Sequence, residues 1–431
     1  MTVFLYNIFL IIYRIAVRIA STWSKKARLW LEGRKNIFDK IISATKTNHG
    51  KIIWMHCSSL GEFEQGRPLL EKMKIEYPGI HILLTFFSPS GYEAQKNYKG
   101  ADWVFYLPMD SPANAKKFVT IINPRMAIIV KYDYWYYYVK AIKEKGIPLL
   151  LISALFSQDT AFFKWYGRLQ RKMLRCFTHF FVQNDESKKL LGSLGYSNVT
   201  VAGDTRFDRV IEIAEQWEPI PAIEQFIGNS KAIVAGSTWP EDEEVLQKVF
   251  ASLPDKSLKL IIAPHDISEK NIGSIKELFP KAILFSELKT GNLPTGQAGQ
   301  QPVTSNCLII DNIGMLSRLY KYGYVTYVGG GLRTMGVHNV LEAAVYHRIV
   351  LFGDYFRKYT EAVELVLSAG GIPFTDVKRD GMMLKELIEA LLANNEEYNY
   401  RSKAAGDFVQ SNKGATQKIL QYIQEKRLLT S

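Results

Sequence analysis

Two successive series of short, almost wholly apolar segments, each followed by a stretch with helical spacing, constrain this chain more than any other feature. The first series runs 51–56 (KIIWMH), 81–87 (HILLTFF), 103–108 (WVFYLP), 126–131 (MAIIVK), 148–153 (PLLLIS) and 179–184 (HFFVQN). The second runs 231–237 (KAIVAGS), 259–265 (KLIIAPH), 281–287 (KAILFSE), 307–312 (CLIIDN), 323–330 (GYVTYVGG) and 348–353 (RIVLFG). A strand apolar at every position is buried on both faces, and that is the environment of a parallel sheet covered by helices. The segment 216–226 (QWEPIPAIEQF) separates the series with two prolines and few strand signals. The expectation is an α/β chain of two Rossmann-like, doubly wound lobes with an interdomain cleft. Ligands then bind beyond the carboxyl ends of the strands.

The boundaries expected from these patterns are a membrane anchor helix at 1–22, a first lobe at 23–215, a second at 216–410 and a C-terminal helix at 411–431. A length of 431 residues suits two lobes of this size. The Gly-, Gln- and Pro-rich stretch 293–302 (LPTGQAGQQP) reads as an exposed, mobile loop.

Residues 3–13 (VFLYNIFLIIY) are nearly all apolar, and Arg14 and Arg18 then interrupt a run that otherwise reaches Ala20. A spanning helix needs about 20 apolar residues, so a full crossing requires those arginines to snorkel to the interface. The basic residues follow the apolar run, which places the remainder of the chain on the cytoplasmic side. A cleaved signal peptide carries its charge first and ends in small residues, unlike this segment. The alternative is a first helix buried in the fold.

The net charge is +12, and the first 50 residues hold nine Lys or Arg against two acids. A nucleic-acid-binding module would instead carry a basic stripe within its folded part, so no nucleic acid is expected and an anionic membrane surface is. Three widely spaced cysteines, Cys57, Cys176 and Cys307, exclude a disulfide framework and a structural zinc site.

Six segments carry chemistry-bearing residues. In 56–66 (HCSSLGEFEQG), Ser59 and Gly61 lie in a tight turn that opens a helix and leaves backbone N–H groups for an anion. Glu62 then either complements the helix dipole or serves as a general base at the strand's carboxyl end. In 84–94, Ser88 or Ser90 caps a helix behind Pro89. In 128–138, Lys131 and Asp133 stand among aromatic residues, as core with an ion pair or as an acceptor-binding surface. In 202–208, Arg206 makes a surface salt bridge or reaches a phosphate or carboxylate. In 233–244, Ser237 and Thr238 end a strand; Thr238 reads as a helix N-cap with Glu241 as its capping-box partner. In 327–344, Gly330 and Gly331 allow close backbone approach, and Asn339 and Glu342, three apart, share a helix face.

Taken in order, HCSSLGEFEQGRPLL, TFFSPSGYE, YLPMD, GDTRFD, AGSTWPEDEE, IIAPH, DNIGML and GGGLRTMGVHNVLEAA resemble the 3-deoxy-D-manno-octulosonic acid (Kdo) transferases of lipopolysaccharide assembly. The resemblance implies a GT-B fold, a CMP-Kdo donor and a tetraacyl lipid A precursor as acceptor at the bacterial inner membrane. It also implies inverting transfer without metal or other cofactor. Glu62 matches the family's base. Pro264, His265, Ile313, Gly314, Met315, Asn339, Val340, Leu341 and Glu342 match its CMP contacts. Lys131 stands where the family has a transition-state glutamate, Asp133 keeps a second acid of that motif, and Arg206 replaces a lysine. Met315 replaces a glutamate, and the arginine before the family's histidine is missing at His265. Two other functions fit the same pattern. One is another GT-B enzyme, a UDP-sugar transferase or an epimerase; the other is a non-catalytic membrane-surface protein of this fold.

Overall fold

The structure is a computed structural model that describes residues 2–46, 50–290, 305–376 and 380–429. The 293–302 stretch lies outside them. Two compact units form, Met1–Arg209 with Lys413–Ser431, and Val210–Asn412.

The first unit holds a seven-stranded sheet of β1 (Lys51–Cys57), β2 (Ile80–Phe86), β3 (Trp103–Tyr106), β4 (Met126–Val130), β5 (Leu149–Ala154), β6 (His179–Val182) and β7 (Val199–Val201). Their order is β3-β2-β1-β4-β5-β6-β7, and every pair is parallel. The unbroken apolar runs have a direct physical cause. Trp54, Leu83, Ala127, Ile129 and Leu151 pack on one face. Their alternates Ile53, Met55, Leu84, Ile128 and Ile152 pack on the other. Neither side of the pleat meets water.

The second unit repeats the plan with β8 (Ala232–Thr238), β9 (Lys259–Pro264), β10 (Ile283–Leu284), β11 (Cys307–Ile309), β12 (Val325–Val328), β13 (Val350–Gly353) and β14 (Gly371–Phe374). The order is β10-β11-β9-β8-β12-β13-β14, again all parallel. Strand order reverses between β1 and β4 in one unit and between β8 and β12 in the other. At such a switch point the loops diverge to opposite faces and leave a crevice.

Three features differ from the sequence reading. The edge strands β7 and β14 have no counterpart in the two apolar series. β10 ends at Leu284 and turns at once into the helix Phe285–Thr290, where a strand to residue 287 was expected. The C-terminal helix Ala415–Glu425 returns to the first unit. There Ile419, Leu420 and Ile423 are fully buried beside Leu69 and Met73. Asp208 accepts from the N–H groups of Gly414 and Thr416 at that helix's start.

The first helix, Thr2–Ala20, is long and apolar enough to cross a membrane. It is not a buried core helix, since only Leu10 is buried. One face docks on the first unit: the Tyr6 hydroxyl donates to Asp110 at 2.6 Å, and the Tyr137 hydroxyl donates to Asn7 at 2.7 Å. The opposite face leaves Phe4, Ile8, Ile12, Ile15 and Ile19 exposed.

Candidate functional site

In the first unit the strand ends of the switch point assemble the candidate residues. β1 stops at Cys57, and after Ser58 and Ser59 the chain enters the helix Leu60–Glu76 with Glu62 in its first turn. The Ser58 N–H donates to a Glu62 carboxylate oxygen. Burial pushes the Glu62 carboxyl up to about 7, Asp133 reinforces the shift, and the Ser58 N–H and Lys131 oppose it. A carboxylate so tuned exchanges a proton near neutral pH.

β4 ends at Val130, and Lys131 follows with φ of 63°. A side chain in left-handed backbone costs about 1 kcal/mol or more and persists only where its surroundings impose it. Asp133 accepts from or pairs with the buried His56 at 2.7 Å. The other ring nitrogen of His56 meets the Thr85 hydroxyl at 2.8 Å, and that hydroxyl also accepts from the Trp54 indole. A relay of groups on β1 and β2 thus sets the position of Asp133.

Arg206 is neither an exposed surface pair nor a freely reaching cation. Its Nε and Nη2 donate to Asp204 at 3.0 and 2.7 Å, and its backbone N–H donates to the same carboxylate at 2.9 Å. Gln65 adds a third side-chain contact at 3.0 Å. Burial acts to raise the Asp204 pKa, but the Arg206 charge and hydrogen bonds outweigh it and hold the carboxyl below its usual value.

In the second unit the ends of β8 and β12 meet. Ser237 has φ of 53° at the end of β8. Gly330 has φ of 88°, and a Cβ on Gly331 would lie 2.5 Å from the Gly353 nitrogen. Only glycine fits either place. Asp242 ties the two loops together, accepting from the N–H groups of Trp239 and Gly330 at 2.9 and 3.0 Å and from the Tyr327 hydroxyl at 2.5 Å. Thr238 donates to Glu243 at 2.9 Å, and burial pushes the Glu243 carboxyl up to about 7. Thr238 is therefore still strand. The helix Pro240–Ser252 is capped one residue later, at Trp239, with Asp242 and not Glu241 as partner.

Beside these loops three rings stack: Trp239 on His265 at 4.5 Å and His265 on His338 at 4.6 Å between centroids. The Trp239 indole donates to His338 Nε2 at 2.9 Å, which assigns the proton of the neutral ring to Nδ1. Burial and the neighbouring His265 push the His338 pKa down to about 4, so the ring is neutral at pH 7. Asn339 donates to Glu342 at 3.0 Å. Val340 and Leu341 are core residues, and Met315 is 6% exposed; these three can offer a ligand only backbone. Ile313, at 84%, is open to solvent, and Gly314 beside it has φ of 91°.

Within the first unit, then, Ser59, Lys131 and Asp133 lie on strand-end loops of one sheet, and Gly61, Glu62 and Arg206 lie in the first turns of the helices that follow such loops. Within the second, Ser237, Thr238, Pro264, His265, Gly330 and Gly331 lie at the carboxyl ends of the central strands β8, β9 and β12, with Asn339 and Glu342 on the segment that follows. Gly61 departs from expectation. It is helical, a Cβ there would meet nothing within 4 Å, and the turn does not require a glycine. Sequence reasoning placed His338 beside Asn339 and Glu342 after the glycine loop, but did not single out His56, Asp204, Trp239 or Asp242. The signal was present for His56, a lone imidazole in an apolar strand, and for Asp204, an acid two residues from Arg206.

Residues 33–209 match the family model described as 3-deoxy-D-manno-octulosonic-acid transferase (kdotransferase). The chain is 25% identical over 379 residues to the 3-deoxy-D-manno-octulosonic acid transferase of Haemophilus influenzae, covering 85% of each chain. It is 27% identical to that of Aquifex aeolicus, with 80% of this chain and 87% of that one covered. A bifunctional glycosyltransferase/methyltransferase of Fusobacterium nucleatum is 28% identical over 88% of this chain, which spans only 55% of that protein. Among solved structures, a UDP-GlcNAc 2-epimerase from Neisseria meningitidis aligns with a TM-score of 0.59 at 16% identity, covering 87% of this chain and all of that one. A glycosyltransferase from Rickettsia africae aligns at 0.54 and 15%, covering 89% and 100%. These likenesses establish the fold as two parallel-sheet Rossmann-like units of the GT-B type. Most of this chain is similar to the 3-deoxy-D-manno-octulosonic-acid transferases, and residues 33–209 match the model of that family.

Proposed function

We propose that this chain transfers Kdo from CMP-Kdo to a tetraacyl lipid A precursor, with inversion and with Glu62 as the general base. The observation that carries the reading is the Glu62 carboxyl, raised to about 7 at the switch point of the first sheet. Glu62 takes the proton of the acceptor hydroxyl while that oxygen bonds to the anomeric carbon of Kdo. The bond from that carbon to the CMP phosphate breaks, and CMP leaves with the electron pair. Lys131 follows the strand next to Glu62, and its cation would offset the negative charge of the reacting groups; Arg206, held by Asp204, would act only through the field of that pair. The glycine loop, Asn339 and Glu342 of the second unit are assigned to CMP-Kdo. The exposed apolar face of Thr2–Ala20 and the basic residues after it support attachment to the cytoplasmic face of the inner membrane.

The test is CMP release by the full chain with CMP-Kdo and the tetraacyl precursor in the presence of EDTA, followed by mass spectrometry of the lipid. The expected result is CMP release matched by a lipid mass gain of one or more Kdo residues, and protection of the protein by CMP but not UDP. Glu62→Gln should lower the rate by about 10²–10⁴-fold while CMP binding persists. No CMP release beside an active control enzyme overturns the proposal.

A further inference from the structure

The three N-terminal helices, with Pro108, Met109, Asn114 and Lys117, line an open cavity of about 730 Å³ in the first unit. Its cations come from separate elements: Arg14 and Arg18 from Thr2–Ala20, Lys35 from the turn after Lys25–Gly33, and Lys117 from Pro112–Ile122. Lys117 lies with its ammonium 4.6 Å from the Phe38 ring centroid. With Arg34 the walls carry five basic residues against two acidic ones, Glu32 and Asp39.

One wall group lacks a partner and another lacks a counter-charge. Arg34 donates to the carbonyls of Leu107, Trp30 and Phe87 at 2.9, 3.1 and 2.8 Å and lies over the Trp30, Phe87 and Tyr106 rings at 3.9, 4.8 and 4.9 Å, but pairs with no carboxylate among the described residues. Trp30 is 6% exposed, and its indole N–H is buried without an acceptor among them. A buried cation and an unpaired donor both cost free energy that an anionic ligand with acceptor oxygens would recover.

A second cavity of about 180 Å³ shares Arg14, Arg18, Trp30 and Leu31 with the first and continues along Ile11 and Ile15 of the exposed apolar face. The pair of cavities is cationic at one end and apolar at the other, the polarity of a lipid lying across a membrane interface. We propose that the first cavity holds the phosphate headgroup of an anionic bilayer phospholipid, whose acyl chain runs along Ile11 and Ile15. This inference rests on the membrane attachment proposed above. It adds a discrete lipid site, walled by neither Glu62 nor any residue of the glycine loop.

The experiment is flotation of the full chain on phosphatidylcholine vesicles with and without phosphatidylglycerol. Lys35→Glu with Lys117→Glu is compared with Lys40→Glu with Lys46→Glu, which changes the charge equally outside the cavity. The cavity variant should lose at least about tenfold of its preference for phosphatidylglycerol, and the control less than about threefold. Binding to phosphatidylcholine alone and the thermal midpoint should stay unchanged in both. Equal losses in the two variants, or none in either, overturn the discrete site and leave membrane attachment standing. Equal stabilisation of the thermal midpoint by inorganic phosphate and by a soluble short-chain phosphatidylglycerol, at matched ionic strength, also overturns it, since the site would then not need an acyl chain. Failure of the unaltered chain to bind any vesicle sinks the membrane reading and this site with it.

Discussion

Glu62 couples activity to stability. Its ordinary value of 4.5 is raised to about 7 in the fold, so the folded chain holds this proton more tightly than the unfolded chain. Stability from this group is present below pH 4.5 and is lost as pH rises through 7. The full difference corresponds to about 3 kcal/mol. Glu62→Gln should therefore be more stable than the unaltered chain at pH 8, by up to that amount, and equal to it near pH 4; denaturant unfolding at the two pH values checks this. The proposed base acts only when ionised, so kcat/KM should rise with pH through about 7, and a flat profile there would remove Glu62 from the proton transfer. Arg206 offers a contrast. Replacing it with Met strands the buried Asp204 charge and should cost about 3 kcal/mol. Adding Asp204→Asn should recover a large part of that loss, which the thermal midpoints of the single and double variants will show.

At the scale of elements, the loop glycine Gly331 and the helical glycine Gly61 make opposite predictions. Gly331→Ala drives a Cβ against the Gly353 backbone at 2.5 Å, where no side chain can swing aside. A loss of about 2 kcal/mol and of CMP binding is expected, read by thermal shift with and without CMP. Gly61→Ala meets open space in a helix and should raise stability by about 0.5–1 kcal/mol. If its kcat/KM nevertheless falls, substrate approaches the backbone there. Twelve of the fourteen strands were legible from their apolar runs, most of them buried on both faces; the edge strands β3 and β10 are only partly so. β7 is three residues, two of them half-buried, and β14 carries Pro373 in only four residues. Edge strands tolerate both conditions, which is why no periodicity announced them.

At the scale of the whole molecule, the chain closes its first unit with its last helix. Deleting 413–431 removes fully buried Ile419, Leu420 and Ile423 from the first core and leaves the carboxylate of Asp208 without the two N–H groups it holds. The first unit should lose its cooperative unfolding transition, while the second, Val210–Asn412, keeps its own. Calorimetry resolves the two. Loss of the second transition instead would show that the division is wrong.

Hydrophobic pattern and loop composition were enough to determine two doubly wound sheets, an apolar first helix followed by basic residues, and strand-end loops rich in Ser, Gly and acids. Those properties are local: periodicity reports burial of a strand's two faces, and turn chemistry reports where a helix begins. Tertiary structure decided what depends on residues far apart in the chain. It put His56 against Asp133 and Gln65 against Asp204, moved the helix cap from Thr238 to Trp239, stacked His265 between Trp239 and His338, and returned the C-terminal helix to the first unit. It also decided the Glu62 pKa, because burial and a carboxylate 71 positions along the chain set a proton's affinity in a way no local pattern encodes.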